Sequence, residues 1–178
     1  DPVLDAFAAE VGTEGPVAVR GGSTRWSTGG ELDPSARVLG APAGIVEYIP
    51  EEMIVRVRAG TPVGELHAAL AEHGQRTALP ERSAASSVGG AFAVGENHIS
   101  MLGRGSIRSS LLQVRYVSAE GRIVNGGGPT VKNVTGFDLP RLIVGSLGTL
   151  GLLAEVIIRT NPTPAASVWL RSDDADPF

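Results

Sequence analysis

The sequence has 178 residues, 42% of them hydrophobic, and a formal net charge of −4, which fits one soluble domain with a buried core. Only 4% of the residues are aromatic, and this scarcity, with the negative charge, disfavours nucleic-acid binding. The absence of cysteine excludes disulfides, thiolate metal sites, iron–sulfur ligation and cysteine nucleophiles within the chain. No apolar run is long enough to span a membrane, so we expect a cytoplasmic protein.

Hydrophobic periodicity predicts the elements of the first half. A helix is expected over Pro2–Val11, where apolar residues recur at helical spacing. Strands are expected at Pro16–Arg20, around Ile45–Ile49 and at Met53–Val57.

A second helix is predicted to begin after Gly60. Thr61 can cap it, Pro62 suits its first position, and Gly74 can end it in a left-handed conformation. Its apolar stripe is Val63, Leu66, Ala69 and Leu70.

The second half begins with a serine–glycine turn that opens a short helix, within Ser86–Gly95. A hairpin follows, with strands at Leu111–Ser118 and Arg122–Val124 joined through Glu120-Gly121. Asp138 can cap a short helix over residues 139–144, and a strand of alternating character is predicted at Leu152–Arg159.

These elements predict an α+β fold with two lobes. The first, at about residues 1–75, is expected to be a small parallel α/β lobe. The second, at about 76–160, is expected to hold a larger mixed or antiparallel sheet with helices. Residues 161–178 are polar and contain proline, as in a tail or the start of a linker.

Glycine is over-represented, at 24 residues, nearly twice the usual share of about 7%. Part of the excess forms three clusters, which we name loop 1 (residues 20–24), loop 2 (86–90) and loop 3 (148–151). Loop 1 follows a strand directly, so its amides can form a nest that binds diphosphate oxygens. A plain glycine turn explains the same pattern, and neither the Walker A nor the dinucleotide-fingerprint spacing occurs.

The other two loops are also open to two interpretations. Loop 2 can direct the free amides of a helix N-terminus at an anion, or its glycines can allow close helix–sheet packing. Loop 3 can place backbone against a flat ring or be a turn. Three such loops in one short domain favour a cofactor that carries phosphate. The histidines, His67, His73 and His98, have no metal-binding spacing, and we expect no metal site.

The order of the three loops resembles the FAD-binding domain of the vanillyl-alcohol-oxidase (PCMH-type) flavoproteins. Gly105–Arg108 and the run Val131–Leu142, which reads VKNVTGFDLPRL, are similar to the FAD-binding subunits of bacterial glycolate oxidases. The resemblance covers roughly Val17–Arg159. It implies a two-lobed PCMH-type fold and FAD as the cofactor.

The resemblance also implies which residues bind FAD. Loop 1 would wrap the pyrophosphate, loop 2 and its flanks would line the second wall, and the strand after loop 3 would contact the adenine half. The implied cofactor-binding residues are Arg20, Gly21, Gly22, Ser23, Thr24, Pro80, Ser86, Ser87, Gly89, Gly90, Gly95, Gly148 and Leu153.

Two positions depart from the family pattern. Relatives with covalent flavin carry a histidine in or just after the first loop, where this chain has Ser23, so non-covalent FAD is expected. Many relatives have Arg-Asp where this chain has Arg108-Ser109, so no role is assigned to that carboxylate.

The resemblance implies an FAD-dependent oxidoreductase component that oxidises a small 2-hydroxy acid such as glycolate. Expected partners are other oxidase subunits, including an iron–sulfur subunit. The family's cap domain, which shapes the substrate site, is not found within these residues. No catalytic residue is assigned, although Lys132, Asn133 and Arg141 are candidates for contacts with the flavin or a partner. The alternative is a cofactor- or partner-binding module without its own catalysis.

Overall fold

The computed structural model describes residues 1–80, 83, 85–129 and 137–168. Its helices are α1 (Pro2–Val11), α2 (Val63–Ala71), α3 (Val88–Val94), α4 (Met101–Arg104), α5 (Ile107–Ser110) and α6 (Leu139–Ile143). Its strands are β1 (Val17–Arg20), β2 (Arg37–Gly40), β3 (Ile45–Ile49), β4 (Ile54–Arg58), β5 (Gln75–Arg76), β6 (Leu111–Val117), β7 (Ile123–Gly127), β8 (Leu152–Arg159) and β9 (Asn161–Pro162). No helix of the described residues is long and apolar enough to cross a membrane.

Two sheets of different character confirm the α+β fold. Strands β1 and β2 form a parallel pair in which Val17 lies opposite Arg37. Five antiparallel strands form the large sheet, in the order β3-β4-β8-β6-β7. Strands β3 and β4 of the large sheet come before residue 75, and its other strands come after it. The sheet therefore spans the boundary that the sequence predicts between the two lobes. The described start of the expected tail adds β9, which pairs with β5.

Strand β8 is the centre of the large sheet, and its residues between the two ends are buried. The alternating exposure expected for this strand is wrong, because neighbouring strands flank it and both faces of the sheet are covered there. On one face, Val156 and Ile158 belong to the main core with α2 and α3; on the other, Ala154 packs with α1.

Helix α1 has the predicted bounds, and Leu4, Phe7 and Val11 are its buried residues. The carboxylate of Asp1 caps it by accepting a hydrogen bond from the amide of Val3. Its apolar side packs against Val117 and Ala154 of the sheet.

Helix α2 is present, but the prediction that Thr61 caps it is wrong. The Thr61 hydroxyl accepts a hydrogen bond from the Gly44 amide at 2.8 Å, and Pro62 holds the cap position without a side-chain bond. Gly74 does adopt a left-handed conformation (φ 64°), two residues beyond the C-cap Glu72.

The elements predicted for the second half are present in the described residues. Helix α3 begins after its N-cap Ser87 and ends at Gly95, which is left-handed with φ 73°. The β6–β7 hairpin turns at Gly121, also at positive φ. Asp138 caps α6 by accepting from the amide of Arg141.

A buried carboxylate lies in the middle of the large sheet. The side chain of Glu155, on β8, is 1% exposed, and its Oε1 accepts hydrogen bonds at 3.2 Å from Arg56 on β4 and from Arg115 on β6. Its Oε2 has no hydrogen-bond partner among the described residues. The one carboxylate is therefore shared by two cations on the neighbouring strands, and Arg56 also pairs with Glu47 on β3 at 3.6 Å.

We expect Glu155→Ala to lower the free energy of unfolding by about 3 kcal/mol, because it removes the buried anion that lies between the partly buried guanidinium groups of Arg56 and Arg115. Chemical denaturation measures this change. The control is Glu120→Ala, which removes the acidic partner of the exposed Arg122 and should cost less than about 1 kcal/mol. Equal losses in the two variants would contradict the role given to Glu155.

Candidate functional site: a groove between three glycine loops

Loops 1, 2 and 3 converge on one groove of about 360 Å³. The groove lies between β1, helix α3 and the turn that leads into β8. Its walls are largely apolar and include Val17, Val19, Val94 and Leu152. A few polar groups set into an apolar cleft of this size are typical of a small-molecule or cofactor site.

Nine of the thirteen sequence-predicted cofactor residues line this groove: Gly21, Gly22, Ser23, Thr24, Ser87, Gly89, Gly90, Gly148 and Leu153. The other four are not among its lining residues: Arg20, Pro80, Ser86 and Gly95.

Three of the four remaining residues contact the groove lining or the segments next to it. The guanidinium of Arg20 lies 4.5 Å from the ring centroid of Trp26, which itself lines the groove. Pro80 is buried beside loop 2 in sequence, and the Ser86 hydroxyl lies 3.0 Å from that of Thr24. Gly95 packs closely on Gly145, the residue that begins the turn towards loop 3.

Loop 1 has unpaired amides. The N–H groups of residues 21–24 make no hydrogen bond to any described residue. A Cβ on Gly21 would lie 1.9 Å from the Ser87 Oγ, and one on Gly22 would lie 1.6 Å from the Ala85 carbonyl oxygen. These glycines therefore allow loop 1 to approach loop 2, and the amides stay available for an anion.

The amides of loop 2 at the start of α3 are bonded, so the interpretation that they are free to bind an anion is wrong. The amide of Val88 donates to the Thr61 carbonyl oxygen, Gly89 donates to that of Ala59, and Gly90 donates to the Ser87 hydroxyl. A Cβ on Gly89 would lie 2.7 Å from the Cβ of Ala59. The close-packing interpretation is the one that the contacts support.

Loop 3 is attached to the C-terminal part of α3. The amides of Gly145 and Leu147 donate to the carbonyl oxygens of Phe92 and Ala93. Leu147 and Gly148 both have positive φ, 53° and 82°, so the backbone turns sharply where it reaches the groove. Helix α3 thus contacts both neighbouring loops.

Sequence reasoning missed Arg25 and Trp26, which line the groove directly after loop 1. The Arg25 Nε donates to the Glu96 carboxylate at 2.8 Å, and its Nη1 donates to the Ser86 hydroxyl at 3.1 Å. The position of both residues shortly after Gly21 and Gly22 was the signal from which the sequence could have indicated them. No pattern in the sequence connects residue 25 with residue 96, because that contact depends on the fold.

Further along the groove, a tight turn supports the segment that contains Glu31 and Leu32. The carboxylate of Asp33 accepts hydrogen bonds from both the hydroxyl and the amide of Ser35. These bonds, with that from the hydroxyl first, lower the pKa of Asp33 below its usual value. Asp33 therefore keeps its charge to a lower pH than an ordinary aspartate does.

Two of the candidate contact residues, Lys132 and Asn133, lie outside the described residues. Arg141 is exposed, and its Nε pairs with the Asp138 carboxylate at 3.1 Å. Within the described ranges no group of three or more histidine or acidic side chains could hold a metal ion.

Comparison with protein families gives a match to the FAD binding domain over residues 4–127. The matched region includes loops 1 and 2 and the strands β1 to β7, and loop 3 lies beyond it.

Three curated relatives illustrate the similarity. The chain is 31% identical to the glycolate oxidase subunit GlcE of Escherichia coli, over 96% of this chain and 49% of the relative. It is 32% identical to the D-lactate dehydrogenase of Archaeoglobus fulgidus, over 83% of this chain and 33% of the relative. It is 29% identical to the D-2-hydroxyglutarate dehydrogenase of Xanthomonas citri, over 91% and 34%. The chain spans between a third and a half of the length of these relatives.

We expect Gly22→Ala to destabilise the protein by about 1–3 kcal/mol, because a methyl group there forces loops 1 and 2 apart. The control is Gly29→Ala in the same wall, where a Cβ meets nothing within 4 Å and a change of less than about 0.5 kcal/mol is expected. Thermal unfolding measures both variants. A Gly22→Ala protein as stable as Gly29→Ala would show that the loops do not need their close approach.

Proposed function

Because the chain belongs to the family of FAD-binding domains, we propose that it is the cofactor-binding part of an oxidoreductase that oxidises a small 2-hydroxy acid, such as glycolate, at FAD. The observation that carries the proposal is the convergence of all three glycine loops on one groove. The names of the relatives indicate the substrate class, because they refer to glycolate, D-lactate and D-2-hydroxyglutarate.

The groove suits a cofactor that carries a diphosphate. The amides of residues 21–24 are unpaired among the described residues, and the cationic Arg25 lies at the end of the same loop. An anion placed there would gain several charge-assisted hydrogen bonds. The apolar walls, with Val17, Val19 and Leu152, would exclude water from the rest of the cofactor.

Bound FAD would supply the hydride acceptor, a role that no amino-acid side chain can take. The chain's own residues bind and orient. Loop 1 would hold the diphosphate, loop 2 would set the distance between the walls, and loop 3 would place backbone against the cofactor.

Non-covalent attachment is part of the proposal. The support for it is that Ser23, with φ 57°, lines the groove where covalent relatives have histidine. None of the three histidines, all of which lie in the described ranges, is a lining residue.

A second function has its own supporting observation. Among the described lining residues, the ionisable side chains are Arg25 and Glu31, so no histidine, the commonest acceptor for a substrate hydroxyl proton, lines the groove. A cofactor- or partner-binding module, completed by another chain or domain, fits this lining. The proposed partners are other oxidase subunits, an iron–sulfur subunit among them; one relative is itself named a subunit. A cytoplasmic location stays a prediction from sequence.

We expect the purified protein to bind FAD with one site per chain and to show the visible absorbance of an oxidised flavin. Acid precipitation should release all the flavin into the supernatant, because no bond to a side chain holds it. Calorimetric titration and the absorbance of the two fractions measure these results. A chain that folds but does not bind FAD would contradict the proposed function, whereas flavin in the pellet would contradict only the mode of attachment.

Anaerobic addition of glycolate or D-lactate to the FAD-loaded chain separates the two functions. A complete substrate site predicts bleaching of the flavin absorbance. The binding-module function predicts bound FAD that neither acid reduces. Dithionite is the control, because it reduces accessible flavin without any substrate site.

A further inference from the structure

The side chain of Arg25 connects loop 1 to both ends of helix α3. Its Nη1 donates to Ser86, one residue before the N-cap, and its Nε donates to Glu96, one residue after the C-cap. The side chain is only 9% exposed, although it belongs to an otherwise exposed segment. Such a contact fixes a loop more firmly than a surface ion pair does, because burial reduces solvent screening.

A second hydrogen bond joins the same two segments. The hydroxyl oxygens of Thr24 and Ser86 are 3.0 Å apart. Ser86 is itself 1% exposed, so the end of loop 1 is held at a buried point. The amides of residues 21–24 make no hydrogen bond to a described residue, and the backbone bond that loop 1 does make is a long one, from the Trp26 amide to the Ser23 carbonyl oxygen at 3.4 Å.

We propose that Arg25, held by Glu96 and Ser86, is a positioning residue that keeps the unpaired amides of loop 1 in the arrangement that binds the cofactor diphosphate. The inference rests on the proposed function, because it concerns the same groove. Ordering a loop in advance raises affinity, since the ordering entropy is not spent at the moment of binding. The contribution of Arg25 is therefore geometric.

A guanidinium group is needed for this role. Its rigid fork presents Nε and Nη1 to two acceptors in different directions, and a lysine ammonium on a flexible chain does not reproduce that geometry. A simple electrostatic role predicts the opposite behaviour: lysine would suffice, because it carries the same charge.

Substitution of Glu96 distinguishes the two roles of Arg25, because the two roles predict opposite changes in FAD affinity. If Arg25 acted only as a positive charge near the diphosphate, removal of the neighbouring carboxylate would strengthen FAD binding. If Arg25 positions loop 1, loss of the ion pair loosens the loop, and FAD binding becomes weaker.

The experiment measures the FAD dissociation constant by calorimetry for the wild type, Arg25→Lys and Glu96→Gln, with Arg122→Gln as the matched control. Arg122 pairs with Glu120 in an exposed turn and does not line the groove. We expect the dissociation constant to rise about tenfold or more in Arg25→Lys, to rise also in Glu96→Gln, and to stay within twofold of wild type in Arg122→Gln.

Glu155→Ala serves as a stability control, since Glu155 does not line the groove and its loss should lower stability while leaving the dissociation constant unchanged. A merely structural role predicts that Arg25→Lys behaves in the same way, with a lower thermal midpoint and wild-type affinity. That result, or tighter binding by Glu96→Gln, overturns the inference while the proposed function stands. If Arg25→Lys does not fold, Glu96→Gln decides alone. A wild-type chain that does not bind FAD overturns the proposed function first.

Discussion

The close approach of helix α3 to strand β4 is the contact on which the groove depends. Gly89 lies where a Cβ would meet the Cβ of Ala59 at 2.7 Å, and its amide donates to the Ala59 carbonyl oxygen. Because the helix is that close to the sheet, its two ends reach the neighbouring loops. Arg25, directly after loop 1, bonds to residues just before and just after α3, and the turn that precedes loop 3 bonds to carbonyl groups near the C-terminus of the helix. Helix α3, seven residues long, thus determines how far apart loops 1, 2 and 3 lie.

The glycines of loops 1 and 2 have two physical roles that a sequence cannot separate. Both roles require the absence of a Cβ, since a side chain would block either a ligand or a neighbouring chain segment. In the structure a neighbouring segment occupies this space, because Ser87 and Ala85 lie beside Gly21 and Gly22. Close packing and anion binding are compatible here, because packing uses the Cα atoms and leaves the amides of loop 1 unpaired.

Most of the secondary structure could be predicted from local patterns, for physical reasons. Helix α1 and the β6–β7 hairpin depend on periodicity and turn residues within a few positions. The errors concern tertiary contacts. Thr61 bonds to Gly44 rather than capping α2, and β8 is buried on both faces because α1 packs on one face of the sheet and α2 and α3 pack on the other. Likewise the amides at the start of α3 are bonded to residues 59 and 61, which no local pattern indicates.

In the candidate site, too, the residues that depend on local patterns were predictable and those that depend on tertiary contacts were not. The three loops were predictable because glycine clusters are visible in the sequence, but Arg25 was not, because its partners lie 61 and 71 positions away. The charge of the whole chain is equally uninformative about the groove: the net charge is −4, yet the ionisable residue next to the unpaired amides is an arginine. Anion binding is a local property, since screening confines the influence of exposed charges to about 8–10 Å. Whether the groove binds an anion depends on the groups within that range. Helix α3 determines which groups those are, because it fixes the position of loop 1.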